Sequence, residues 1–74
     1  MRINANKLRG IVRQYWFNFS AKYLWDFNRT GNFDLCVSHC IKHVPGGYAW
    51  FNGLTDSQRV EFVAIVNDEI SNLV

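Results

Sequence analysis

Leu8–Phe27, LRGIVRQYWFNFSAKYLWDF, holds seven of the chain's twelve aromatic residues, and its reading decides the fold. At about 100° per residue, Leu8, Ile11, Val12, Tyr15, Trp16, Phe19 and Tyr23 fall on one helical face. Ile3-Asn4 ahead of it reads as a helix start. Asn4 is the N-cap, and Ile3 and Leu8 hold the two positions of a hydrophobic staple. Phe17 and Leu24 project to the opposite side and Trp25 to a flank. The pattern therefore allows one helix over about residues 5–28, or two helices with a kink near 18–20 that returns Leu24 to the core. Asn28-Arg29-Thr30-Gly31-Asn32 is expected to end this segment, with Gly31 as the C′ residue.

Further along, Phe33 to Val44 reads as a shorter helix. Its apolar stripe is Phe33, Val37, Cys40, Ile41 and Val44, with Asp34, Ser38 and Lys42 opposite. Pro45-Gly46-Gly47 stops it. Tyr48–Phe51 is either a single helical turn or an extended plug over the core, and Asn52-Gly53 makes a turn. Thr55-Asp56-Ser57-Gln58 is a capping box opening a last helix, whose face is Val60, Phe62, Val63, Val66, Ile70 and Leu73. Asp56 in the first turn complements the helix dipole.

These elements predict an all-α fold over residues 1–74. It is a small single domain of three to four helices, with the long aromatic helix packed by the short middle helix and the C-terminal one. A chain of 74 residues is expected to be marginally stable, and aromatic burial is its main resource.

The net charge of +2 conceals an asymmetry. Residues 1–31 carry Arg2, Lys7, Arg9, Arg13, Lys22 and Arg29 against Asp26, whereas residues 55–74 carry Arg59 against Asp56, Glu61, Asp68 and Glu69. A basic N-terminal half suits steering towards an acidic partner. The N-terminus lacks the apolar run of a signal peptide, and no stretch of about 18 residues is free of charge, so a membrane span is not expected. The chain opens on Met1 and closes on an apolar helix, as a whole gene product would. Cys36 and Cys40, four apart on a helix, suit a disulfide poorly and read as reduced thiols of a cytoplasmic protein.

Cys36, His39, Cys40 and His43 form the one dense cluster of metal-ligand types. All four share an arc of one helix, but Cys36 and His43 lie about 10 Å apart along its axis. Tetrahedral zinc needs every ligand within about 2.3 Å of the metal, so one helix cannot close the site. The reading is therefore Cys40 in the core, Cys36 at its border and both histidines flanking it, with no metal and no cofactor; a metal site would need a symmetric dimer or a carboxylate to complete it. A Cys–His pair without an oxyanion hole or cleft does not make a nucleophilic centre, and Gly46-Gly47 lacks the Lys and Ser/Thr of a phosphate loop. An enzyme is not expected.

Binding remains. Arg9, Arg13, Phe17 and Leu24, with Trp25 at the flank, share the stripe opposite the expected core, and arginine and aromatic residues supply interface hot spots. The expected function is stoichiometric contact with another protein, as a regulator or inhibitor, with the partner acidic. Self-association through the same surface is equally allowed. The economy of the chain fits a viral or mobile-element origin. The alternative is a small DNA- or RNA-binding regulator using the basic N-terminal half, although one lysine and an aspartate on residues 33–44 make a poor recognition helix.

Overall fold

The computed structural model describes residues 3–74, so Arg2 of the basic half lies outside the described residues. The fold is all-α: α1 (Ala5–Asn18), α2 (Ala21–Phe27), α3 (Arg29–His43), α4 (Gly47–Asn52) and α5 (Asp56–Leu73). The Cα radius of gyration is 11.8 Å and the principal extents are 34 × 19 × 19 Å. No described helix is long and apolar enough to cross a membrane.

α1 starts as its sequence dictates. Asn4 Oδ1 accepts the Lys7 amide at 3.1 Å, and Ile3 packs on the core beside Leu8. Leu8, Val12, Tyr15 and Trp16 are buried, and the helix packs between α5 and α3.

The long aromatic segment is two helices. Ser20 takes the left-handed conformation (φ 50°, ψ 40°), and its side chain makes no capping bond. A non-glycine residue there costs about 1–2 kcal/mol, which the packing that follows must offset. Ala21 is buried, while the Trp25 ring packs tilted against Trp16 at 6.0 Å and edge-on against Phe33 at 6.4 Å, centroid to centroid.

That break resets the helical phase and corrects the expected core. Phe19 and Tyr23 follow Tyr15 and Trp16 only on an unbroken helix; here they are 53% and 74% exposed. Leu24 stays at the surface too, and Ala21 and Trp25 take the inward positions.

The turn expected at Asn28–Asn32 is instead the start of α3, four residues ahead of the expected Phe33. Asn28 closes α2 and caps α3, its Oδ1 accepting the Gly31 amide at 3.0 Å. Gly31 is thus a first-turn residue rather than a left-handed C′ glycine. A Cβ on it would lie 2.8 Å from Asn28 Nδ2, so the cap needs the missing side chain. Buried Asn32 donates from Nδ2 to the Leu24 and Asn28 carbonyls, each of which also accepts a backbone amide, Leu24 from Asn28 and Asn28 from Asn32. This one residue holds the α2–α3 corner.

α3 buries Cys36, Cys40 and Ile41, with Phe33, Val37 and Val44 packed at their margin. Gly46 (φ 89°) and Gly47 (φ 55°) reverse the chain in conformations that suit glycine. Tyr48–Phe51 is helical, within α4, and sends Trp50 and Phe51 onto Phe62 at 6.0 and 5.3 Å. The capping box of α5 is complete: Thr55 Oγ1 accepts the Gln58 amide at 3.2 Å, and Gln58 Oε1 accepts the Thr55 amide at 2.9 Å. Phe62, Val66 and Ile70 are buried and Val63 and Leu73 partly so, but Val60, expected on that face, is 69% exposed.

Candidate functional site

The two arginines of the expected binding stripe are engaged within the chain. Arg9 Nη1 donates to Asp68 Oδ2 at 2.7 Å and to Glu69 Oε1 at 3.4 Å; Arg13 Nε donates to Glu69 Oε2 at 2.9 Å. Glu69 is only 4% exposed, between α1 and α5. The Arg13 hydrogen bond, with Arg9 adding to it, holds its carboxyl below the usual range against the opposing effect of burial. The hydrogen bond to Asp68 raises Arg9 further above its ordinary value. These ions join α1 to α5, and the row opposite the expected core is a helix–helix contact over its first half.

Its second half is open. Phe17 is 72% exposed, and α4 packs on α3 and Phe62 rather than covering it. Leu24 is at the surface, and Trp25 is half-buried against Trp16 and Phe33. Between the end of α1 and α2 runs an open groove of about 530 Å³ lined by Trp16, Phe17, Ser20, Lys22, Tyr23 and Asp26. Phe27, 85% exposed, stands one turn beyond Tyr23. The surface is therefore Phe17, Tyr23 and Phe27, with Lys22 and Asp26 at its edge.

Sequence reasoning places Phe17 on this surface and Leu24 at the protein's exterior, and misses the rest. An unbroken period assigns Tyr23 to the core, and Phe27 receives no assignment. The available signal is the double i, i+4 pattern within residues 22–27. Lys22 with Asp26 and Tyr23 with Phe27 make two adjacent rows facing away from Ala21 and Trp25. Neither Lys22 nor Asp26 has an ion-pair partner among the described residues.

The Cys/His cluster divides. Cys36 and Cys40 point into the core, at 2% and 0% exposure, as free thiols. The hydrogen bond to Cys36 raises the Cys40 thiol far above its ordinary pKa, and burial adds to it; Cys36, the acceptor of that bond, is lowered. A buried thiol so held is a poor nucleophile. The imidazoles stay outside. His39 lies 4.8 Å from Tyr15, 5.4 Å from Phe19 and 4.2 Å from His43, centroid to centroid. Its pKa is lowered by desolvation first, then by His43 and Lys42. Among the described residues, no three His, Cys, Asp or Glu side chains converge on a point that could hold a metal ion.

Comparison of the chain with protein-family models, with curated proteins and with solved structures finds no match.

Proposed function

We propose that this chain acts by stoichiometric contact with another protein, as a regulator or inhibitor, through the aromatic surface at the α1–α2 corner. The observation that carries it is the exposure of Phe17 and Tyr23 along one groove, with exposed Phe27 one turn beyond Tyr23. Each such ring offers roughly 150–250 Å² of surface, and exposed apolar patches rimmed by polar groups mark interaction sites. The unpaired charges Lys22 and Asp26 supply that rim.

The chemistry asked of the partner differs from a purely acidic surface. Arg9 and Arg13 are neutralised by Asp68 and Glu69, so their charge is not free to attract one. The same pairing weakens support for nucleic-acid binding, which depends on free cations facing phosphate. The matching surface is apolar, with one basic and one acidic group at its edge. Two free buried thiols support a reducing compartment such as the cytoplasm.

The test is affinity capture from native host extract with the wild-type chain and with a Phe17→Ser/Tyr23→Ser variant whose circular dichroism melt matches wild type. Proteins held by the wild type and lost by the variant, with retention little changed by added salt, support the reading. Capture unaffected by the substitutions overturns it. Retention of nucleic acid that falls steeply with salt also overturns it, in favour of the basic-surface alternative.

A further inference from the structure

We infer that the protein meeting the α1–α2 groove is a second copy of this chain, joined about a two-fold axis with α2 antiparallel to its counterpart; this rests on the reading of that groove as a protein-binding surface. The argument starts from charge. Lys22 and Asp26 stand one helical turn apart on α2, both exposed and both without an ion-pair partner among the described residues. Within a helix, a cation N-terminal to an anion is the weaker of the two orders, so each is free for an outside partner.

Positions 22 and 26 are equidistant from 24. An antiparallel pairing of two α2 helices level with Leu24 sets each residue 24−k beside residue 24+k of the other copy. Lys22 of each copy then meets Asp26 of the other, twice. A two-fold interface must be complementary to itself, and this pattern is. The same operation brings the two Tyr23 rings together near the axis and carries each Phe27 towards the Phe17 end of the opposite groove. An unrelated acidic or basic partner would leave one of the two charges facing its own sign.

Area agrees with a weak, reversible dimer. Phe17, Tyr23 and Phe27 are 72%, 74% and 85% exposed. At roughly 150–250 Å² per ring they offer about 350–580 Å² in each copy. Two copies, with the flanking Lys22, Leu24 and Asp26, come to about 1,000 Å², at the lower edge of specific interfaces. An interface of this size suits a dimer whose population depends on concentration.

The experiment is sedimentation equilibrium of the purified chain from low micromolar to millimolar concentration. The wild type is expected to pass from monomer to dimer, and Phe17→Ser to remain monomeric. Lys22→Glu and Asp26→Lys each turn two attractions into two repulsions and should weaken self-association about tenfold. An equimolar mixture of these two variants should recover it. In the mixed dimer the carboxylate introduced at position 22 of one copy faces the ammonium introduced at position 26 of the other, while the native Lys22 and Asp26 face each other. A wild-type chain that stays monomeric at millimolar concentration overturns the inference, and so does a mixture no tighter than its components. If the chain is monomeric but its captured proteins still depend on Phe17 and Tyr23, the occupant is wrong and the surface stands. If capture ignores both residues, the surface reading itself fails.

Discussion

Arg13 Nε donates to Glu69 Oε2 at 2.9 Å, across 56 positions of sequence, and with Arg9 it closes the main helix contact of the molecule around a nearly buried carboxylate. Arg9 and Arg13 lie on successive turns of α1, so Glu69 meets both at once. The pair gives α1 and α5 a fixed axial register that apolar packing alone leaves looser.

Glu69 makes stability depend on pH. Its folded pKa lies below the unfolded value of 4.5, so the unfolded chain binds more protons between the two. The contribution is whole above the unfolded value and disappears as pH falls through the folded one. Glu69→Gln should therefore flatten the acid limb of a stability–pH profile measured by urea melts. At neutral pH it should cost about 1–3 kcal/mol, because Arg13 loses its charged partner and a buried NH2 group replaces an acceptor oxygen, while Arg9 keeps Asp68. Arg13 is 56% exposed in its side chain, so added salt should reduce the difference.

Ser20 sets a ranking rather than a single value. Its left-handed backbone and absent capping bond mean that the side chain gives nothing back for the strain. Ser20→Gly and Ser20→Asn should hold or raise the melting temperature, whereas Ser20→Val should lower stability by about 1–2 kcal/mol or more. Equal melting of the Asn and Val variants would contradict the left-handed assignment.

The α2–α3 corner predicts a coupling. Gly31→Ala gains about 1 kcal/mol of helix propensity but pushes on the Asn28 side chain, whose cap is worth about 1 kcal/mol. In the native chain the two effects should nearly cancel. In an Asn28→Ala background, Gly31→Ala should become stabilising, so a double-mutant cycle should show coupling of about 1 kcal/mol. Asn32→Ala should cost about 1–3 kcal/mol by removing two side-chain hydrogen bonds, while both carbonyls keep their backbone amides.

Adjacent residues 16 and 17 should behave oppositely. Trp16 is 6% exposed and Phe17 is 72% exposed. Trp16→Ala should destabilise by about 3–5 kcal/mol, while Phe17→Ala should change stability by less than about 0.5 kcal/mol. Thermal or chemical melts of the two variants separate a core residue from a surface one.

The amino-acid sequence by itself determined what local physics controls. Asn4, the Thr55–Gln58 box and Pro45-Gly46-Gly47 mark helix ends because their hydrogen bonds and dihedral limits reach only three or four residues. Leu8, Val12, Tyr15 and Trp16 announce a buried face because a helix repeats every 3.6 residues. So do Phe62, Val66 and Ile70. Only the tertiary structure decided the phase of the aromatic segment and the fate of the arginines. One left-handed residue, Ser20, turns Ala21 and Trp25 inward and leaves Phe19 and Tyr23 outside, a choice settled by packing on Trp16 and Phe33 rather than by periodicity. Glu69 takes Arg9 and Arg13 from some 60 positions away, and no local pattern carries a contact of that separation. What this leaves unpartnered is the aromatic row of Phe17, already opposite the core face of α1, and of Tyr23 and Phe27, which the break at Ser20 turns outward.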